Sequence, residues 1–565
     1  MDYLRLDGVR GRTTPLQLDV VESYAQGKLT RRQFIRRATV LGLSLPAISA
    51  VIAACGDGAA TAGPTATGAA PTDGTAPTPG PEGGTIRVAI QRPAAPLDPV
   101  AMQDLGSYGM IAQSFEFLCT LSTDGDDIAP GLAESWEPNA DGSVWTFQLR
   151  SGVKWQDGSD FTADDVVATM ERLVAAGNAG LKGVLEPGGA RAVDPTTVEM
   201  TLASANGNFP YLVSVFNAQT PITPAAYAAG TTLDGMPNGT GAWKIDNYNA
   251  ATGATFSRNE AWWGGRTPLD TVEWVYFDEI GPMVTAYQGG QIDAIVQFDV
   301  LSGSALFDDP NFDVIATRTS LHRQIWMRTD TGAFADKRVR QALALTFDRE
   351  GMVQQLFRGR ADVANDHVIA PIYPYFDESV PQRTRNVEQA RQLLSDAGSE
   401  GLSAVLHCGE LLEIPDLAVL IQSNARDAGI ELQVAVESLD TFYGAQWCPG
   451  AGDPPCSGAS DLGIVDYGHR ATPDVFLNAA LKTNGDWNSS QYSSPEFDAA
   501  FGEFQAAVGV DAQKAACNKI QTILIEDVPI GVPYFYNYLA GSSNQFTGVY
   551  SSALGQMFFS SASKV

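Results

Sequence analysis

The chain has 565 residues, 44% hydrophobic and 18% charged, with a formal charge of −29 and a mean hydropathy of −0.07. That length and composition allow roughly two to four folded domains, and so acidic a chain repels nucleic acid and anionic lipid headgroups. The charge is uneven: the first 54 residues hold eight Lys/Arg against four Asp/Glu, which leaves −33 on the rest, a body expected to be soluble and monomeric.

Thr30-Arg31-Arg32-Gln33-Phe34 sets paired arginines two residues before an aromatic, ahead of the apolar stretch Ala38–Ala54, broken by Pro46, and then Cys55. A charged segment, an apolar segment and small residues at a cut site are the layout of an export signal. The apolar run is near or below the length that spans hydrocarbon. The arginine pair resembles the twin-arginine export consensus. Ile52-Ala53-Ala54-Cys55 resembles a bacterial lipoprotein cleavage box, which implies lipidation of Cys55 and anchoring to the outer face of the cytoplasmic membrane. Residues 56–84 are nearly all Gly, Ala, Thr, Pro, Asp and Glu. Such a segment buries too little apolar surface to offset its ordering entropy, so a disordered tether is expected.

Thr85–Ile90 alternates as a strand and opens the folded body. Asp104–Leu118 reads as a helix with apolar Ile111, Phe115 and Leu118. Trp145–Leu149 and Thr197–Leu202 read as strands, and between them Thr162 with Asp165 forms a capping box for a helix to about Leu173. Further strands are expected at Trp243–Tyr248, Val272–Phe277 and Ile292–Val296, with a short helix at Met283–Gly289. Past residue 320 the pattern becomes strand, long helix (Val339–Phe347, continuing Arg349–Phe357), helix Val387–Ala397, strand, helix Leu417–Ala428. Alternating elements of this kind predict α/β lobes with partly parallel sheets.

Apart from Cys55, five cysteines remain. Cys448 and Cys456 flank a turn-rich Pro/Gly loop that a disulfide would close; Cys408 and Cys517 form a second possible pair, and one thiol is left over. The spacing offers no CxxC and the four histidines form no i,i+4 pair, so no metal or other cofactor is expected.

Several blocks in order resemble the family-5 extracellular solute-binding proteins of ATP-binding-cassette importers, the group of oligopeptide-, dipeptide- and nickel-binding receptors. They are Pro130–Glu137, Trp145–Trp155 with Asp157-Gly158 and Thr162–Val166; then Gly239–Trp243, Arg258-Asn259, Trp263–Gly265 and Gly290–Asp293; then Phe334–Leu343 and Phe347–Glu350. Most of these residues build scaffold. Trp136, Trp145, Phe147 and Trp155 fit an aromatic cluster on a small sheet, Gly239 and Gly241 a tight crossing between lobes, and Asp336, Arg338 and Arg340 caps and surface ion pairs.

The resemblance implies an α/β, bilobal periplasmic-binding-protein-like fold (type II, cluster C) with an extra N-terminal subdomain and a hinged cleft. The implied division is signal 1–54, lipidated Cys55 and linker 55–84, first lobe 85–114, 205–320 and 540–565, inserted subdomain 115–204, and second lobe 321–539. Hinge strands are expected near Ser320–Met327 and Val532–Leu539. The implied partners are a peptide or other small polar ligand and the importer's permease subunits.

Asp461–Asp474 occupies the place where peptide-binding relatives carry a tryptophan and then an aspartate for the peptide's ammonium group. With one gap, Tyr467 takes the tryptophan position and Arg470 falls at or near the aspartate. A guanidinium cannot pair with an ammonium, but it grips carboxylate, phosphate or sugar hydroxyls. Asp466 either supplies a carboxylate to the ligand or pairs with Arg470. His469 lies beside it, and Trp487-Asn488 is a candidate stacking and hydrogen-bonding pair. Tyr108, His322, Tyr443, Trp447 and Tyr534 fall where relatives line the cleft. The rival from another class is a secreted hydrolase with paired carboxylates, although the chain has no Gly-x-Ser-x-Gly elbow, HExxH or P-loop. No catalytic residue is assigned, and the chain is read as no enzyme.

Overall fold

The computed structural model describes Val21 and residues 82–93, 97–100, 102, 104–122, 127–227, 238–449 and 452–565. The expected signal, the Cys55 lipidation site and nearly all of the linker lie outside the described residues.

Two seven-stranded mixed sheets form the two lobes. The first uses β1 (Thr85–Gln91), β6 (Trp243–Asn249), β7 (Gly253–Arg258), β8 (Thr271–Phe277), β9 (Ala294–Ile295), β10 (Phe312–Thr317) and β18 (Tyr538–Ser543), in the order β10-β18-β9-β1-β8-β7-β6. Here β1 runs parallel to both β8 and β9. Between β1 and β6 come helix α1 (Leu105–Ser114) and an antiparallel four-stranded sheet of β2 (Ala133–Pro138), β3 (Val144–Leu149), β4 (Leu185–Asp194) and β5 (Thr197–Leu202), with α2 (Ala163–Ala175) against it. Alternation in β3 buries Trp145, Phe147 and Leu149 on one face, and Trp136 stacks on Phe147. The Thr162–Asp165 capping box is present at the start of α2. Phe209, Val213, Val215, Phe216 and Ile222 share this core, so it runs past the boundary expected at residue 204.

The second sheet uses β11 (His322–Met327), β12 (Ala361–Val363), β13 (Ser403–Gly409), β14 (Glu431–Glu437), β15 (Leu462–Tyr467), β16 (Ile530–Gly531) and β17 (Tyr534–Tyr536), in the order β12-β17-β11-β15-β13-β14 with β16 also on β11. Strands β13, β14 and β15 are parallel neighbours, so their carboxyl ends point the same way. The chain passes between the sheets twice, from β10 to β11 and from β17 to β18, and both crossings lie at that same end. There the Thr319 hydroxyl donates to the Tyr536 carbonyl, and the Tyr536 N–H to the Leu321 carbonyl, tying the two crossings together.

Period-2 alternation assigns each face of β11 and β15. Arg323, Ile325 and Met327 oppose Asp466, Ile464 and Leu462, with the aliphatic members in one core; His322, Gln324 and Trp326 oppose Tyr467, Val465 and Gly463, with Trp326, Val465 and Tyr467 in another. Glycine is required at 463 because a Cβ would fall 2.2 Å from the Trp326 ring.

Several sequence expectations change. Helix α1 ends at Ser114, not Leu118, because the chain at 239–241 crosses its end: the Gly241 N–H caps the Ser114 carbonyl, and a Cβ on Gly239 would lie 1.7 Å from that oxygen. This glycine crossing is therefore inside the first lobe, not between lobes. The long helix expected after residue 338 is two helices, Lys337–Thr346 and Arg349–Phe357, the second capped by Asp348. Arg340 is no surface residue. It is buried, and its guanidinium donates to the carbonyls of Phe334, Ala335, Asp527 and Val528.

Candidate functional site

In open α/β sheets, ligands bind outside the carboxyl ends of parallel strands. Tyr467 is the last residue of β15, and Gly468–Thr472 leave the sheet on the side where both crossings lie. The segment is pinned at the first crossing. The Ser320 N–H donates to His469 Nδ1 at 3.0 Å, and Ser320 Oγ lies 3.0 Å from both the Arg470 N–H and the Arg470 carbonyl. Tyr373 OH donates to the same carbonyl at 2.8 Å. Because His469 Nδ1 accepts, its proton sits on Nε2, and burial lowers the imidazole pKa to about 3. His469 also meets the first lobe edge-on at Phe216, with centroids 5.6 Å apart.

Arg470 is half-buried, with Tyr108 of α1, Tyr373 and Tyr467 within electrostatic reach, so groups from both lobes act on it. Burial pulls its pKa down and the three tyrosines partly oppose that. Among the described residues its guanidinium makes one hydrogen bond, from Nη1 to the His469 carbonyl at 2.9 Å. No salt bridge reaches it among the described residues. The expected alternative, an ion pair with Asp466, does not form. Asp466 points to the other face of the sheet, where it accepts the Tyr443 hydroxyl and lies opposite Arg323.

The remaining candidates divide between the two faces. Tyr534 is fully buried on the Asp466 side, and its hydroxyl donates to Glu413 at 3.2 Å. Glu413 also takes a bidentate pair from the buried Arg323, at 2.8 and 3.0 Å. This pair satisfies a buried charge and makes Tyr534 part of the lobe's interior. His322 is fully buried on the Tyr467 side, donating from Nδ1 to the Ser320 carbonyl at 2.8 Å. Burial lowers its pKa to about 4, so it is neutral, and apart from neighbouring Gln324 its Nε2 has no partner among the described residues. Asn488 is committed to its own loop: Nδ2 donates to the carbonyls of Lys482 and Tyr492, and Oδ1 accepts from Ser490 and the Tyr492 N–H. Tyr534 and Asn488 thus have their side-chain polar groups engaged by the protein, while His469 is held through Nδ1 and its buried Nε2 has no partner among the described residues.

Brought together on the Tyr467 side are Tyr467, Trp487 (centroids 6.0 Å apart), His322 (5.5 Å from Tyr467) and Trp447, whose indole N–H sits near the Tyr467 hydroxyl. Tyr443 packs edge-on against Trp447 at 5.6 Å and reaches Asp466 with its hydroxyl. Cys448 and Cys456 are joined by a disulfide, and both sulfurs lie against the Asp486 carbonyl, at 3.4 and 3.1 Å. Cys119, Cys408 and Cys517 are buried free thiols; the suggested Cys408–Cys517 bridge is not made, since the two belong to different cores. Among the described residues no group of three or more His, Cys, Asp or Glu is placed to hold a metal ion.

Sequence reasoning missed Tyr373, Ser320 and a lobe-to-lobe contact at Asn208. Asn208 Nδ2 donates to Asp474 Oδ2 at 2.9 Å, and its Oδ1 accepts from Gln513 Nε2 at 2.8 Å. Burial raises the Asp474 carboxyl, and hydrogen bonds from Thr472 and Asn208 oppose that. Gly207 approaches Ala507 so closely that a Cβ would lie 2.2 Å from the Ala507 carbonyl oxygen. Nothing local in the sequence marks these pairs, which are hundreds of positions apart.

The family model of bacterial extracellular solute-binding proteins, family 5 (middle part), matches residues 127–454. Heme-binding protein A of Haemophilus influenzae is 25% identical over 451 residues, covering 74% of this chain and 80% of the relative. The glutathione-binding protein GsiB of Escherichia coli is 28% identical over 431 residues, covering 71% and 83%. Among solved structures, HbpA2 from Haemophilus parasuis superposes with a TM-score of 0.75 at 20% identity, over 85% of this chain and all of the other.

Proposed function

Since the chain belongs to the family-5 bacterial extracellular solute-binding proteins, which serve ATP-binding-cassette importers outside the cytoplasm, we propose that it captures an anionic small solute between its lobes and that Arg470 is the residue that grips it. The observation that carries this reading is a half-buried guanidinium with no carboxylate partner among the described residues and with three tyrosines from both lobes within electrostatic reach. A buried cation without a counter-charge is costly, and an incoming carboxylate or phosphate supplies that charge through two parallel N–H···O bonds. Tyr108, Tyr373 and Tyr467 would complete the pocket with ring faces and hydroxyls. A peptide's free ammonium has no complement at Arg470.

The wider reading follows from the same premise. Residues 1–54 act as a twin-arginine lipoprotein signal, Cys55 carries the lipid, and 55–84 form the tether. The body, a monomer, divides into a first lobe of 85–114, 223–320 and 540–565, an inserted unit of 115–222, and a second lobe of 321–539. The solute leaves unaltered, because the centre presents a cation and aromatic rings in place of two facing carboxyls.

The test is a thermal-shift screen of the purified protein against carboxylates, phosphates, free-amine peptides, neutral sugars and metal chelates. A binder at 100 times its Kd adds about 2.7 kcal/mol of stability. Carboxylates or phosphates are expected to give the largest shifts, and to be recovered chemically unchanged. Largest shifts from free-amine peptides or neutral sugars would overturn the assignment.

A further inference from the structure

Beside Arg470, four aromatic side chains, Tyr443, Trp447, Tyr467 and Trp487, gather at the carboxyl end of the second sheet. Tyr443 and Trp447 come from Phe442–Trp447, a turn of π-helix that follows β14. A second π-turn, Leu477–Leu481, supports Trp487, whose backbone N–H donates to the Ala479 carbonyl at 2.8 Å. Single π-turns are rare and gather at functional sites, because the extra residue re-aims the side chains around it. Two of them flank one tyrosine, Tyr467.

The disulfide holds these pieces in register. Cys448 follows Trp447 directly, and both sulfurs of the Cys448–Cys456 bridge rest on the carbonyl of Asp486, which directly precedes Trp487. The cross-link therefore joins the segment after Trp447 to the backbone that leads into Trp487. Tyr443, Trp447 and Trp487 are each half-buried, while Tyr467 behind them is 6% exposed.

A purely structural cluster would satisfy its buried polar atoms. This one does so only within itself: the buried Tyr467 hydroxyl lies by the Trp447 indole nitrogen and buried His322 Nε2 by Gln324, none of these atoms making a well-formed hydrogen bond to any other group among the described residues. Tyr467 and Trp447 together offer two donors and an acceptor beside half-buried ring faces, which is the equipment for a flat group that is apolar on its faces and polar at its edge.

We propose that Tyr467, Trp447 and Trp487, braced by the Cys448–Cys456 bridge, form a stacking subsite for a planar ring carried by the solute, so that the cargo is an anion bearing an aromatic or similarly flat polar-edged group. This rests on the reading of Arg470 as the anion grip. Tyr467 joins the two subsites, its ring lying against Trp487 and its phenol within electrostatic reach of Arg470. A solute spans both when its anionic group is a few bonds from its ring.

The test compares two probes that share a carboxylate and lack a free amine, N-acetyltryptophan and N-acetylalanine, by calorimetry and by tryptophan fluorescence. The native protein is expected to bind N-acetyltryptophan about tenfold or more tighter, as one stacked ring contributes, with a change in emission from Trp447 and Trp487. Trp487→Ala is expected to erase that preference and leave N-acetylalanine affinity unchanged, whereas Arg470→Met weakens both probes. Trp447→Phe, which keeps a ring and removes the N–H, guards against misfolding of the truncation and is expected to lose part of the preference. Reduction of the bridge is expected to reduce the preference without touching N-acetylalanine. Equal binding of the two probes to the native protein, or equal loss of both in Trp487→Ala, overturns the stacking subsite and leaves the anion grip standing. A preference retained in Arg470→Met with undiminished affinity overturns the anion grip instead, and no binding of either probe overturns both.

Discussion

Replacing Arg470 with methionine separates a binding residue from a structural one, because the two roles predict opposite effects on the unliganded protein. A structural arginine is held by carboxylates or several carbonyls, as Arg323 is by Glu413 and Arg340 by four carbonyls. Arg470 has one such bond, to the His469 carbonyl, and burial is the largest influence on its charge. A hydrogen bond from a charged group is worth roughly 1.5–3 kcal/mol net, and exchanging a buried ionic group for a packed apolar one is often neutral or stabilising by about 1–4 kcal/mol. The free variant is therefore expected to melt at or slightly above the native temperature. Its affinity for the anion is expected to fall by about 2–5 kcal/mol, the usual consequence of truncating one partner of a buried charge pair, or about 30-fold to a few thousand-fold. Thermal melts without solute and calorimetric titration with the best anion from the screen measure the two halves. A free variant that melts well below the native protein yet binds anions normally would refute the reasoning.

Four further outcomes follow from particular contacts. Asn208→Ala removes the link to Asp474 and Gln513, so the contact between the two lobes should weaken by about 1–3 kcal/mol; small-angle scattering of the unliganded protein should show a larger radius of gyration, and an unchanged radius counts against a role for this contact in holding the lobes together. Removing the Cys448–Cys456 bridge, whose partners are 8 positions apart, should lower stability by about 2–3 kcal/mol on the chain-entropy model, read by calorimetry with and without reductant; identical traces contradict it. Gly463→Ala drives a Cβ into the Trp326 ring and should destabilise by about 1–3 kcal/mol, seen as a lower melting temperature; a native melt refutes it. Burial holds His322 near a pKa of 4 in the folded protein against 6.5 ordinarily. The folded value is the depressed one, so its contribution is fully present above pH 6.5 and is lost as pH falls from 6.5 towards 4. His322→Asn, which keeps a donor for the Ser320 carbonyl, should flatten the stability-versus-pH slope in that window by up to about 1.4 kcal/mol per pH unit; parallel slopes would rule it out.

Much of the scaffold was legible because its signals are local. The Thr162–Asp165 capping box, the alternation of Val144–Leu149 and the amphipathic helices after residue 386 each lie within a few residues, and the structure has all of them. Errors came where a distant segment overrode the local pattern. Apolar spacing carried the first helix to Leu118, but the chain at Gly239–Gly241 crosses at Ser114 and stops it there. Arg340 reads as a surface charge beside Asp336, yet the carbonyls that bury it belong in part to residues 527 and 528.

The candidate site divides in the same way. Arg470 and Tyr467 stood out in the sequence because residue type alone shows a cation and a ring where relatives place a carboxylate and an indole. The two faces of β15 were also implicit, since neighbours on a strand point oppositely. What the sequence by itself determined is the family, the kinds of elements and the chemistry of each side chain in this segment. Only the tertiary structure decided which of them meet. It turned Asp466 away from Arg470 towards Tyr443, placed Tyr534 beside Glu413 inside the lobe, and brought Tyr108 of the first lobe to the guanidinium. Hydrogen-bonding capacity belongs to a residue, but partnership depends on burial and on segments 90 to 360 positions away, and no local pattern carries that information.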